Sequence, residues 1–163
     1  MTLESLPEGI MQGLCLEELK ICDCPSLLSL QDVMLATLKR FDIMKCKRLE
    51  LPMWSIYAYL QTLWISFSCY SLTSLQLQLL PKLNHLIIRE SNLNSLSVSE
   101  GPNQVFPSLN SLRINLCPNF VSFPVAGLHA PNLTCLKVSD SGAKITAQKH
   151  AFPSPITKAI EDM

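Results

Sequence analysis

Apolar and polar positions alternate along this chain in short bursts that recur with nearly constant wording, Leu-x-x-Leu-x-Ile-x-x-Cys. The phrase reads Leu16-Glu-Glu-Leu19-Lys-Ile21-Cys-Asp-Cys24, then Leu38 to Cys46, then Leu60 to Cys69 with one extra residue before the cysteine. Weaker copies run from Leu83 to Ser91, Leu109 to Cys117 and Leu133 to Ser141. In each copy the second leucine (Phe41 in the second) and the Ile (or Val138) take alternate positions and face inward while the residues between them face out, the two-residue period of a strand with one buried face. Strands are therefore expected to start near residues 16, 38, 60, 83, 109 and 133. Apolar pairs follow them: Leu27 and Leu30, Leu49 and Leu51, Leu72 and Leu75, Leu93 and Leu96, Phe120 and Phe123. These supply the cover that the inner face of a parallel sheet requires. None of the return segments has a helical period, so irregular turns or short 3-10 pieces are expected there.

The first leucines stand 22, 22, 23, 26 and 24 residues apart. That period belongs to leucine-rich repeats. The expected fold is an α/β-type repeat: a leucine-rich-repeat solenoid with a curved parallel β-sheet on its concave face and mostly irregular or 3-10 returns on its convex face. Pro81, Pro107 and Pro131 each fall two residues before a first leucine, where a fixed φ and a missing N–H fit the approach to a strand. Pro25 and Pro118 follow the phased cysteines, where a turn begins. Residues 97–105 lengthen the fourth repeat as a loop. Residues 1–141 form the expected repeat domain, and 142–163 a non-repeat tail with little order. Residues 1–15 resemble the end of an earlier repeat, so the chain reads as a piece of a longer array, since end repeats carry polar caps.

Composition narrows the function classes. The 163 residues are 48% hydrophobic and 16% charged, with thirteen basic and thirteen acidic side chains. Such a balance argues against a nucleic-acid or anionic-membrane surface driven by bulk charge. Residues 1–9 lack the basic and apolar regions of a secretory signal, and Leu51–Leu60 is too short to span a bilayer. A cytoplasmic location without membrane insertion is expected. Seven cysteines are an odd number, and Cys24, Cys46, Cys69 and Cys117 share one phase of the repeat. Their spacing follows the bend after each strand, where a small apolar side chain fits. Cys22-Asp-Cys24 has neither zinc spacing nor a second ligand pair.

In a parallel array the outward residues stack in columns about 4.8 Å apart. The central column is expected to hold Lys20, Asp42, Trp64, Ile87, Arg113 and Lys137. Glu18, Arg40, Thr62, His85, Ser111 and Cys135 flank it on one side, and Cys22, Met44, Ser66, Arg89, Asn115 and Ser139 on the other. Lys20 beside Asp42 and Glu18 beside Arg40 are opposite-charge neighbours. Met44, Trp64 and Ile87 form an outward apolar cluster bordered by Arg40, His85 and Arg89, the composition of a protein-binding centre with a polar rim. The candidate partner-binding set is thus Glu18, Lys20, Arg40, Asp42, Met44, Thr62, Trp64, His85, Ile87, Arg89 and Arg113.

The basic run of Lys39, Arg40, Lys45, Lys47 and Arg48 is interleaved with Glu17, Glu18, Asp23 and Glu50 and has no stacking aromatics, so it reads as solvated surface. His85, His129 and His150 fall in unrelated phases with no nucleophile or carboxylate beside them. No catalytic residue and no metal ligand set is expected. A cysteine hydrolase using Cys22 or Cys135 would need an exposed thiol of low pKa.

Leu3-Glu-Ser-Leu-Pro-Glu-Gly-Ile-Met, Cys15-Leu-Glu-Glu-Leu-Lys-Ile-Cys-Asp-Cys-Pro-Ser-Leu and Leu112-Arg-Ile-Asn-Leu-Cys-Pro-Asn-Phe-Val-Ser-Phe-Pro resemble the C-terminal repeats of plant disease-resistance proteins. The class they resemble is the coiled-coil, nucleotide-binding, leucine-rich-repeat one, over residues 3 to 141. The resemblance implies protein binding in plant defense: recognition of a pathogen effector, of a modified host protein, or of the receptor's own nucleotide-binding domain. The five glycines form no phosphate loop. No cofactor is expected in this chain, because the nucleotide of that class would bind an upstream domain that is absent here. Alternatives are the substrate-recognition repeats of a ubiquitin-ligase adaptor and a truncated product without independent activity.

Overall fold

A computed structural model describes residues 15–30, 36–52, 57–98, 104–121, 123–124 and 128–141. The expected tail, 142–163, and the segment before residue 15 lie outside the described residues. So does residues 99–103 of the expected loop.

Among the described residues eight strands follow one another: β1 (Glu18–Cys22), β2 (Arg40–Met44), β3 (Thr62–Ser66), β4 (Ser74–Gln76), β5 (His85–Arg89), β6 (Ser95–Ser97), β7 (Ser111–Asn115) and β8 (Cys135–Ser139). Six of them form one parallel sheet in the order β1-β2-β3-β5-β7-β8. The chain therefore coils as a leucine-rich-repeat solenoid, with each strand beginning two residues after a repeat's first leucine. The inward positions of the middle strands are sealed: Phe41, Ile43, Ile65, Leu86, Ile88, Leu112 and Ile114 are fully buried, whereas Leu19 on the end strand β1 is half-buried. Against them pack Leu27, Leu49, Leu75, Leu93, Leu96, Phe120 and Phe123 from the return segments, in one continuous core. Phe120 and Phe123 meet edge to face, their centroids 5.3 Å apart.

The register between coils is locked at the strand entrances. The carbonyl of Glu17 accepts the amides of Lys39 and Arg40, and that of Lys39 those of Gln61 and Thr62. Gln61, Asn84 and Asn110 repeat the arrangement for the next three coils. The Asn110 side-chain amide also donates to the Asn84 side-chain oxygen. These bonds hold every strand in step, so the side-chain columns are fixed by backbone chemistry.

At the strand exits the chain bends sharply inward. Asp23, Lys45, Phe67, Glu90, Leu116 and Asp140 each follow a strand and each has a positive φ of 50–55°. Left-handed backbone costs a non-glycine residue about 1–2 kcal/mol. The amides of Asp23, Lys45, Phe67, Glu90 and Leu116 offset it by donating to the next coil's last strand carbonyl, at 3.0 Å in every case. The bend turns the following residue into the core, which explains the small residue found at that phase. Cys24, Cys46 and Cys117 donate their thiols to the carbonyl two residues back, at 3.4, 3.2 and 3.4 Å. In the third repeat the extra residue puts Ser68 at this phase. Its hydroxyl donates to the Ser66 carbonyl at 2.8 Å and accepts the Cys46 amide at 2.9 Å, so it takes the place of the thiol and ties the second coil to the third.

Cys46, Cys69 and Cys117 are completely buried and all described cysteines are free thiols. Burial pushes the Cys69 thiol up to about 12, with the neighbouring Cys46 adding to the effect. Burial likewise raises Cys46. The unfolded chain loses the Cys69 proton near pH 9 while the folded chain keeps it, so folding stability is intact below pH 9 and falls as pH rises from about 9 towards 12. The expected slope is on the order of 1 kcal/mol per pH unit, and Cys69→Ala should flatten it. Denaturant midpoints between pH 8 and 11 check this; equal slopes in the two proteins would refute it.

The convex side is more regular than the sequence suggests. A 3-10 helix spans Leu77–Leu79, and β4 and β6 pair in parallel as a second, two-stranded sheet. A serine ladder fastens it, with Ser74 3.2 Å from the hydroxyls of both Ser95 and Ser97.

Candidate functional site

The outward residues of the six-stranded sheet form a concave face, and its geometry follows from the register. Lys20, Asp42, Trp64, Ile87, Arg113 and Lys137 are successive partners across the five strand pairs. Glu18, Arg40, Thr62, His85, Ser111 and Cys135 form the column on one side. Met44 and Arg89 lie on the other, with Ser66 between them.

Burial sorts these columns. Glu18, Lys20, Arg40, His85, Arg89, Arg113 and Lys137 are exposed, whereas Met44, Thr62, Trp64 and Ile87 are half-buried. Met44 stands diagonally across from Trp64, and Trp64 directly beside Ile87. An aromatic side chain is thus flanked by two aliphatic ones, and Arg40, His85 and Arg89 border them. A half-buried tryptophan still presents apolar ring surface that a partner can cover. Its indole N–H is sunk beneath the surface with no acceptor among the described residues.

The charge pairing differs from the register-based expectation. Lys20 lies beside Asp42 and Glu18 beside Arg40, yet the ion pair that forms is Arg40 with Asp42 on the same strand. Arg40 Nε donates to Asp42 Oδ2 at 3.0 Å, and Nη2 lies 3.0 Å from the same oxygen. Residues i and i+2 of a strand share a face, so the guanidinium reaches that carboxylate directly. Glu18 and Lys20 form no ion pair among the described residues. Asp42 is also not a rim charge, because its side chain is only 8% exposed. Its other oxygen, Oδ1, is buried without a hydrogen-bond partner. The remaining ion pairs, Lys39–Glu17 at 2.6 Å, Lys45–Asp23 at 3.2 Å and Arg89–Glu90 at 3.2 Å, link solvent-accessible side chains and contribute little.

Off this face, Lys47 sits over the Tyr70 ring and Lys82 over Tyr59, at 5.8 and 4.7 Å from the ring centroids. His129 pairs by a single bridge with Val105, remote from His85 in sequence phase. Among the described residues no three His, Cys, Asp or Glu side chains are gathered as a metal-binding group, and no helix is long and apolar enough to cross a membrane. Sequence reasoning missed Ser68 and the buried state of Asp42. A serine one residue before an out-of-phase cysteine was the available signal for the first; nothing in the sequence marked the second.

The chain is 36% identical over 145 residues, 85% of its length, to a protein of Arabidopsis thaliana whose name assigns it to disease resistance. It spans 10% of the length of that curated relative. No family model matches it, and no solved structure does.

Proposed function

We propose that this chain, a leucine-rich-repeat homologue of a plant disease-resistance protein, is the recognition surface of an intracellular immune receptor. It acts by binding and not by catalysis, in the cytoplasm, on a pathogen effector or on a host protein that an effector has altered. One observation carries the reading: Met44, Trp64 and Ile87 lie together on the outward face of adjacent strands, bordered by exposed Arg40, His85 and Arg89. Binding energy concentrates in aromatic and arginine anchors that a polar rim shields from water.

The hydrogen-bonded sheet presents this cluster on regular backbone, which lowers the ordering cost of binding. Glu18, Lys20, Thr62 and Arg113 complete the surface and set orientation, while Asp42 lies beneath it, held by Arg40.

A photo-crosslinking residue placed at Thr62 should join this chain to a protein in effector-challenged plant tissue, whereas the same residue at Gln76, an exposed position on the convex sheet, should not. Trp64→Ala should then weaken the captured partner by more than about 1 kcal/mol, close to tenfold. Adducts at Gln76 alone, or affinity unchanged in Trp64→Ala, would remove the concave face from consideration.

A further inference from the structure

We propose that the concave face takes a protein segment in which an apolar residue is followed by carboxylates, with Arg113 and Lys137 as its acid-binding end. This rests on the concave-face reading above and specifies the partner's chemistry.

The sequence as a whole is neutral. The outward strand positions are not: they hold Lys20, Arg40, Arg89, Arg113 and Lys137 against only Glu18 and Asp42. Both carboxylates belong to the first two strands. One of them, Asp42, is already held by Arg40. From β5 to β8 the outward strand positions hold cations and no carboxylate, but Arg89 is already paired with Glu90, the residue after β5, which leaves Arg113 and Lys137. Arg113 and Lys137 are direct register partners, both exposed, and neither joins an ion pair among the described residues. Like charges placed side by side on a sheet repel, so this juxtaposition is disfavoured in the free protein and relieved when a carboxylate sits between them.

Along the central column the order is Trp64, Ile87, Arg113, Lys137, one strand step apart each. Three steps of about 4.8 Å span roughly 14 Å, the reach of about four extended residues. A segment crossing the strands would cover Trp64 and Ile87 with its apolar part and bring carboxylates over the two cations. Phosphate groups are the other anion such cations could take. The half-buried indole and isoleucine beside them form an apolar seat with no ladder of stacking rings, which suits a peptide side chain better than a nucleotide chain.

The probe is a blocked eight-residue peptide of two leucines followed by glutamates, compared by titration calorimetry with its lysine counterpart and with an oligouridylate of equal charge. The wild-type chain should bind the acidic peptide, more weakly as salt rises, and not the lysine one. Arg113→Glu with Lys137→Glu should weaken it at least tenfold. Lys47→Glu with Lys82→Glu changes net charge equally off this face and should leave affinity within about twofold. If Trp64→Ala abolishes peptide binding while the Arg113/Lys137 reversal changes nothing, the acidic partner is overturned and the concave site stands. If the peptide binds and neither change matters, both readings fail. No binding of the acidic peptide, equal losses in both charge reversals, or tighter binding of the oligouridylate would each overturn the proposal.

Discussion

Phe41→Ala is expected to cost about 3–5 kcal/mol of folding stability, the usual loss for removing a buried phenylalanine. Phe41 is fully buried in β2, with Leu19 and Leu63 as its register partners on either side. In a solenoid each coil is stabilised only by its neighbours. A cavity under β2 therefore weakens the first coil, whose strand pairs with β2 alone among the described residues, as well as the second. At about 2–4 °C per kcal/mol for a chain of this size, melting followed by circular dichroism should fall by roughly 6–20 °C. Val121→Ala, at a position 60% exposed, should stay within about 0.5 kcal/mol. A Phe41→Ala loss below about 1 kcal/mol would mean that the second coil is not sealed as described.

Arg40→Ala should be more damaging than its exposure suggests. The arginine side chain is 45% exposed and Asp42 only 8%. Removing the arginine strands a nearly buried carboxylate whose other oxygen already lacks a partner, and an unsatisfied buried group of this kind costs about 1–3 kcal/mol, more when charged. The solvent-facing guanidinium screens the pair, so the lower part of that range is expected. Asp42→Asn removes the buried charge, keeps an acceptor for Arg40 and should change stability by less than about 1 kcal/mol. In the Asp42→Asn background, Arg40→Ala should lose much of its effect. Chemical denaturation of the four proteins in this cycle tests the point. Equal losses for both single substitutions would show that Asp42 is solvated and that Arg40 acts through packing.

The same pair marks where sequence reading stops. Glu18, Lys20, Arg40 and Asp42 were legible as neighbours, because a two-residue period and a 22-residue offset place them side by side. Choosing among the partners needed actual side-chain positions, since Arg40 can reach Glu18 or Asp42 within a few ångströms. Trp64 was legible as outward-facing but not as half-buried, because its depth depends on the side chains beside it. The bends at the strand exits were expected, but their left-handed backbone was hidden. Asp23, Lys45, Phe67, Glu90, Leu116 and Asp140 are ordinary residues in left-handed backbone, and glycine, the usual mark of that conformation, is absent from all six.

What the sequence determined by itself was the repeat, the inward and outward sides of the six strands in the main sheet, and the small residue at every bend but the third. Strand stereochemistry alternates side chains in single-residue steps, so a local pattern decides which face each residue joins. Only the tertiary structure decided the Arg40–Asp42 pairing, the burial of the Asp42 carboxylate, the plugging of the third bend by Ser68 and the β4–β6 ladder on the convex side. Each of these depends on groups from different coils or turns meeting at hydrogen-bond distance, and that is settled when the coils stack.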